Sequence, residues 1–127
     1  MRGLLDTSVF IADEDGRGLA SEKLPDEAAI SVVTLAELEL GVHLAAGEGT
    51  RAQRLRTLRA VKATYVAIPI DEAVASSFAE LVAMARRKGQ RPKVQDTWIA
   101  ATARAHSVAV YTPDADFDGL AVEVVRV

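Results

Sequence analysis

The chain has 127 residues, half of them hydrophobic and 26% charged, with a formal net charge of −3; this is the composition of one folded domain with its own core, not of a disordered or uniformly cationic segment. It has no cysteine, which excludes disulfides, zinc-thiolate clusters and thiol nucleophiles and suits a reducing compartment. Met1-Arg2-Gly3-Leu4-Leu5-Asp6 meets an acid too early for a secretory leader, and no apolar run reaches the roughly 18 residues that span a bilayer, so a cytoplasmic protein without membrane attachment is expected.

Short strand-like runs alternate with longer helical ones, the pattern of an α/β domain built on a parallel sheet. Gly3-Leu4-Leu5 forms the first strand, and a short helix over 7–13 follows Asp6. Ala28 to Val32 is the second strand, followed by a helix from about Thr34 to Ala46 that Gly47 and Gly49 close. The next helix, 50–62, places Leu55, Leu58 and Val61 on one face, and Tyr65 to Ile70 is the third strand. From Asp71, the spacing of Val74, Phe78, Leu81, Val82 and Ala85 predicts a long helix ending in Arg86-Arg87-Lys88 before Gly89. A helix over 96–106 has a narrow small-residue face at Ile99, Ala100 and Ala103, suited to close packing on a sheet. Val108 to Tyr111 is the fourth strand, 112–119 an acid-rich loop, and Val122 to Val125 the last strand. The expected sheet order is 3-2-1-4-5, in a single domain spanning 1–127.

Certain acids fall at special places in this pattern. Asp6 directly follows strand one, Glu37 is expected in the first turn of the helix after strand two, Asp96 begins the helix that feeds strand four, and Asp114 lies just past strand four. In a parallel sheet these places share the carboxyl edge, where ligands of open α/β sheets bind. Each also has a plain structural explanation. Asp6 suits an N-cap, Thr34-x-x-Glu37 a capping box, Asp96 a helix dipole, and Asp114 or Asp116 an Asx-turn. Their convergence does not: each close pair of carboxylates costs up to about 4 kcal/mol at an effective dielectric near 20, and a bound cation removes that cost.

Oxygen-only ligands beside a phosphate select Mg²⁺, with Mn²⁺ as a substitute, and such ions support nuclease or phosphatase chemistry. His43 and His106 lie on different predicted helices and are not expected to join such a site. Asp71 follows the outlying third strand and reads as an N-cap. Glu39, two residues from Glu37, faces His43.

Four ordered blocks resemble a known family: Leu5-Asp6-Thr7-Ser8-Val9-Phe10-Ile11; Ser31-Val32-Val33-Thr34-Leu35-Ala36-Glu37-Leu38; Asp96-Thr97-Trp98-Ile99-Ala100-Ala101-Thr102-Ala103; and Tyr111-Thr112-Pro113-Asp114-Ala115-Asp116-Phe117. Together they are similar to the successive motifs of PIN domains, and most of all to the VapC toxins of bacterial toxin-antitoxin pairs. The resemblance implies a three-layer fold and a Mg²⁺-dependent endoribonuclease, usually a homodimer, held inactive by a VapB-type antitoxin. It implies catalytic and metal-holding roles for Asp6, Glu37, Asp96 and Asp114, with Asp116 as an additional metal candidate. It further implies hydrogen-bond support of the first and last carboxylates by Thr7 and Thr112, and in-line attack of water on phosphorus that leaves a 5′ phosphate and a 3′ hydroxyl. The chain departs from the family pattern at Arg91-Pro92-Lys93-Val94-Gln95, where relatives often carry an apolar residue and a glycine before the third acid.

Without those five negative charges the formal charge of −3 becomes +2, and two basic clusters could meet an RNA backbone. One is Arg51, Arg54, Arg56, Arg59 and Lys62; the other is Arg86, Arg87, Lys88, Arg91 and Lys93, nearer the acids along the chain. Aromatics at 5% are too few for a stacking platform, so recognition is expected to rest on the shape of a folded RNA. The Glu37 helix has two apolar stripes: Leu35, Leu38, Val42 and Ala45 form one, and Val33, Ala36, Leu40 and Leu44 form a second that suits a second protomer or an antitoxin helix. Two other readings compete. A Mg²⁺ phosphatase would want an acidic pair beside strand one, where Thr7 and Ser8 stand. A non-cleaving PIN-like module that binds RNA or protein would have lost a core carboxylate, and none is missing.

Overall fold

Each central strand is an apolar run that ends against a polar residue able to start a helix or a turn, and this repeated junction lines polar groups along one edge of the sheet. In the computed structural model, which describes residues 2–127, β1 (Arg2–Leu5) passes through Asp6 into α1 (Thr7–Glu14). After a turn of 3₁₀ helix, β2 (Glu27–Ser31) runs into α2 (Val32–His43), and α3 (Glu48–Thr64), β3 (Ala67–Ile68) and α4 (Glu72–Arg87) follow. The chain closes with α5 (Val94–Ala105), β4 (Ala109–Thr112) and β5 (Val124–Arg126).

The five strands form a parallel sheet in the order β3-β2-β1-β4-β5, as expected. Leu4 stands opposite Ala29 on one side and Val110 on the other. One face of the sheet, with Leu4 and Val110, packs on Val74 and Leu81 of α4 and on Ile99, Ala100 and Ala103 of α5. The other face, with Leu5, Ile30 and Tyr111, packs on Val9 and Phe10 of α1, Leu38 and Val42 of α2, and Leu58 and Val61 of α3. Three layers result. Ala100, Ala101 and Ala103 of α5 are fully buried, so this helix lies close against the sheet, as its small-residue face predicts. Gly3 serves the opposite face: a Cβ there would stand 2.2 Å from the Tyr111 ring.

Several boundaries differ from expectation for identifiable reasons. The second strand stops at Ser31 instead of Val32, because the Ser31 hydroxyl accepts the Val33 N–H and caps α2 there. The Thr34-x-x-Glu37 spacing is therefore not a capping box: Thr34 is buried inside the helix and Glu37 lies in its second turn. The third strand shrinks from Tyr65–Ile70 to Ala67–Ile68, an edge strand followed at once by Pro69, which has no N–H for a ladder. Asp71 does cap its helix, accepting the Val74 N–H at 3.0 Å. No helix among the described residues is long and apolar enough to cross a membrane.

Candidate active site

Asp6 stands at the N-cap position of α1, but its side chain makes no capping hydrogen bond of regular geometry and is held chiefly by hydroxyls. Its own N–H donates to the Tyr111 carbonyl at 3.0 Å, tying the end of β1 to β4. The residue is 4% exposed. Ser8 Oγ donates to Asp6 Oδ2, and Thr112 Oγ1 donates to the same oxygen at 3.1 Å. Burial pushes the Asp6 carboxyl above its ordinary value, against the pull of the Ser8 and Thr112 hydroxyls and the backbone amides of Thr7 and Ser8.

Glu37 reaches this edge from α2. Thr7 Oγ1 donates to Glu37 Oε1 at 2.7 Å, and Thr34 Oγ1 lies 2.9 Å from Thr7 Oγ1. A hydroxyl has one proton, so Thr7, having donated to Glu37, accepts from Thr34. Partial burial raises the Glu37 carboxyl, the Thr7 bond opposes this, and the nearby Asp6 charge adds to it. Asp96 lies in the first turn of α5. Desolvation raises its carboxyl to about 6, reinforced by the charges of Asp6, Asp116 and Glu37 and offset in part by Lys93. Asp6, Glu37, Asp96 and Asp116 thus share one electrostatic field.

Asp114 belongs to the same loop: its backbone N–H donates to Thr112 Oγ1 at 3.1 Å, shaping the start of the loop after β4, and further along it the charge of Asp116 raises Asp96. The loop is anchored by Phe117, fully buried in the core beneath it, and by an Arg126–Asp118 ion pair at 2.7 Å. Thr7 bonds the first carboxylate through its backbone, as expected, while its hydroxyl serves Glu37; Thr112 is corrected, since it supports Asp6, the first carboxylate, rather than the last. Ser8 and Thr34 are supporting residues that sequence reasoning missed. The unbroken polar run Asp6-Thr7-Ser8 ahead of Val9 was the available signal for Ser8; Thr34 was hidden by its resemblance to a cap.

This donor set suits a hard cation. It offers only oxygens, and the repulsion that raises Asp96 is opposed by a single lysine. Among the described residues, no three acidic or histidine side chains are gathered tightly enough to enclose an ion. Mg²⁺ does not require such a cage, since it keeps several waters and takes one or two carboxylates together with substrate phosphates.

The two basic clusters differ in what they already hold. On α3, Arg54 donates to the Gly41 carbonyl at 2.7 Å and Arg51 to the Ala45 carbonyl at 3.4 Å, docking the helix on the end of α2. Arg86, Arg87, Lys88, Arg91 and Lys93 are all exposed, and Lys93 already acts on Asp96. The first α2 stripe packs inward, while the second is open apart from Val33: Leu40 is 55% and Leu44 70% exposed, and Ala36 is exposed with them. Beside that stripe, Glu37 lines a cleft of about 240 Å³ with Ile11, Glu14 and Leu38.

Comparison with known proteins shows the family and the fold. A family model described as PIN domain matches residues 3–123. The chain is 47% identical over 129 residues to Ribonuclease VapC5 of Mycobacterium tuberculosis, covering 98% of this chain and 95% of that protein. It is 42% identical over 127 residues to Ribonuclease VapC4 of the same organism, with 99% and 97% covered. Among solved structures, it is similar to the crystal structure of VapBC-5 from Mycobacterium tuberculosis, a member of the VapBC family of toxin-antitoxin systems, with 42% identity, a TM-score of 0.91 and 99% and 98% of the two chains covered. It also resembles FitAcB from Neisseria gonorrhoeae at 30% identity and a TM-score of 0.79, with 99% and 97% covered.

Proposed function

The chain belongs to the PIN-domain family, in its VapC branch, and from this premise we propose that it is a Mg²⁺-dependent endoribonuclease, the toxin of a pair with a VapB-type antitoxin. The observation that carries the reading is the gathering of Asp6, Glu37, Asp96 and Asp116 at the carboxyl edge of the sheet, where burial raises Glu37 and Asp96 and the neighbouring carboxylates raise them further, an arrangement from which a fold alone gains no stability. One or two of Asp6, Asp96 and the loop acids Asp114 and Asp116 would hold the ion, together with waters and substrate phosphate, with Glu37 beside it. Bound there, Mg²⁺ supplies a water of lowered pKa and neutralises charge on the phosphodiester.

The chain's own residues do the rest. Ser8 and Thr112 fix Asp6 Oδ2, so this carboxylate needs no reorganisation when substrate arrives. Thr7, held in turn by Thr34, occupies Glu37 Oε1 and leaves Oε2 to take the proton of the attacking water. Lys93 and the exposed arginines before α5 draw the RNA backbone to the acids. The open stripe of Ala36, Leu40 and Leu44 receives a second protomer or an antitoxin helix. The site of action is the cytoplasm, where RNA and antitoxin meet.

The test compares RNA cleavage by the unsubstituted chain with Mg²⁺, by the same chain with chelator, and by Asp6→Asn with Mg²⁺. Cleavage is expected in the first sample alone, and equal cleavage in all three refutes the mechanism.

A further inference from the structure

Thr34 and Glu37 share a face of α2, and Thr7, the first residue of α1, stands between their side chains. Thr7 Oγ1 lies 2.7 Å from Glu37 Oε1 and 2.9 Å from Thr34 Oγ1, so one hydroxyl of α1 joins two side chains of α2. Thr34 is fully buried and Thr7 nearly so, which leaves protein groups to satisfy both hydroxyls.

Other threonines in helices spend their protons differently. Thr64, Thr97 and Thr102 donate to the carbonyl four residues back, at 2.7, 2.8 and 2.8 Å. Thr34 is third in α2, so the residue four back, Ile30, still belongs to β2, and among the described residues the Thr34 hydroxyl has Thr7 as its one partner.

Counting protons gives this row a direction. A hydroxyl carries one proton, and a carboxylate oxygen only accepts. Thr7 gives its proton to Glu37, so Thr34 gives its own to Thr7. The reverse order would leave the Thr34 proton without an acceptor and Glu37 Oε1 without a donor.

We propose that Thr34 is a positioning residue for cleavage, acting through Thr7: its proton fixes the Thr7 rotamer and the direction of the Thr7 O–H, and so holds the Glu37 carboxylate in one orientation. The inference rests on the ribonuclease reading and gives a part in it to a side chain too buried to touch RNA or an ion.

Positioning and packing order two substitutions oppositely. Thr34→Val keeps the branched shape and removes the proton, whereas Thr34→Ser keeps the proton and leaves a gap the size of a methyl group. On an RNA that the unsubstituted chain cuts with Mg²⁺, Thr34→Val should lower kcat by about 10-fold and leave KM and the half-saturating Mg²⁺ concentration within about 2-fold, and Thr34→Ser should keep kcat within about 2-fold. With Thr7→Val already in place, Thr34→Val should cost nothing further. A readout without RNA or metal is the Thr7 side chain itself, since threonine in a helix divides between two χ1 rotamers. Three-bond NMR couplings should show one rotamer in the unsubstituted chain and in Thr34→Ser, and averaging in Thr34→Val.

A kcat lost in Thr34→Ser and kept in Thr34→Val assigns Thr34 to packing and overturns the proposal. So does an averaged Thr7 in the unsubstituted chain, a measurement that stands even if a variant fails to fold. The ribonuclease reading falls separately: RNA left intact by the unsubstituted chain with Mg²⁺, while Thr34→Val frees Thr7, overturns cleavage alone, and RNA cut at an unchanged kcat by Thr34→Val overturns the positioning alone.

Discussion

Asp6 and Asp96 carry the same functional group a short distance apart, in opposite surroundings. Asp6 is nearly inaccessible, and its Oδ2 receives two hydroxyl protons. Asp96 is half-buried, feels three other carboxylates, and is relieved chiefly by Lys93. One half of the site is thus fixed by hydrogen bonds, as a group that must not move would be. The other half is under electrostatic strain that an incoming cation or phosphate-bound ion relieves. The difference separates the residues that build the site from those left ready to react.

The comparison breaks most visibly at Asp96. Asp96→Asn should lower the RNA cleavage rate by about 10³-fold while raising the metal-free stability by about 1 kcal/mol at neutral pH, a gain kept modest because water screens a half-exposed group. Its folded carboxyl, at about 6, lies above the ordinary 3.8, so the folded protein binds more protons than the unfolded chain between those values. Stability therefore falls as pH rises through that window, and the advantage of Asp96→Asn should grow across it in thermal melts from pH 4 to 7. Mn²⁺ should raise the melting temperature of the unsubstituted chain more at pH 7 than at pH 5.

A smaller effect is expected on the fixed half. Thr112→Val removes a proton donor to Asp6 and the acceptor of the Asp114 N–H, and should cost about 1–3 kcal/mol in denaturant unfolding and about 10- to 100-fold in cleavage. Loop acids sharpen the division further: Asp116→Asn should slow cleavage by at least about 10-fold and Asp114→Asn by less than about 3-fold. A reversed order in matched kinetics would make Asp114 the loop acid that holds the ion. Least affected in its own fold is Leu40→Glu on the open α2 stripe, within about 0.5 kcal/mol in unfolding. Its mass in solution or its antitoxin binding should nonetheless change, and if neither does, the stripe is not an interface.

Much of this was legible beforehand, for reasons visible in individual residues. Val74, Leu81 and Ala85 repeat at helical spacing and are buried on the α4 face that the spacing predicts. Gly3-Leu4-Leu5 ending at Asp6 marks both a strand and its carboxyl edge. Other elements resisted because two local signals competed. Val32 and Val33 are β-branched and extend a strand on paper, but the Ser31 cap ended it first. Tyr65 to Ile70 has the composition of a full strand, yet an edge position and Pro69 leave two residues paired.

The order of residues along the chain determined which acids stand at the ends of strands, and hence that oxygen donors would meet at one edge of a parallel sheet, because side-chain type and periodicity are local properties. Tertiary structure alone decided how those acids are served: Thr7 across 30 residues to Glu37, Thr112 across 106 residues to Asp6, and the charge of Asp116 on Asp96. Hydrogen bonds and fields act through distances of a few ångströms, and those distances exist only once Phe117 is buried, α2 is capped at Ser31 and the sheet has closed around them.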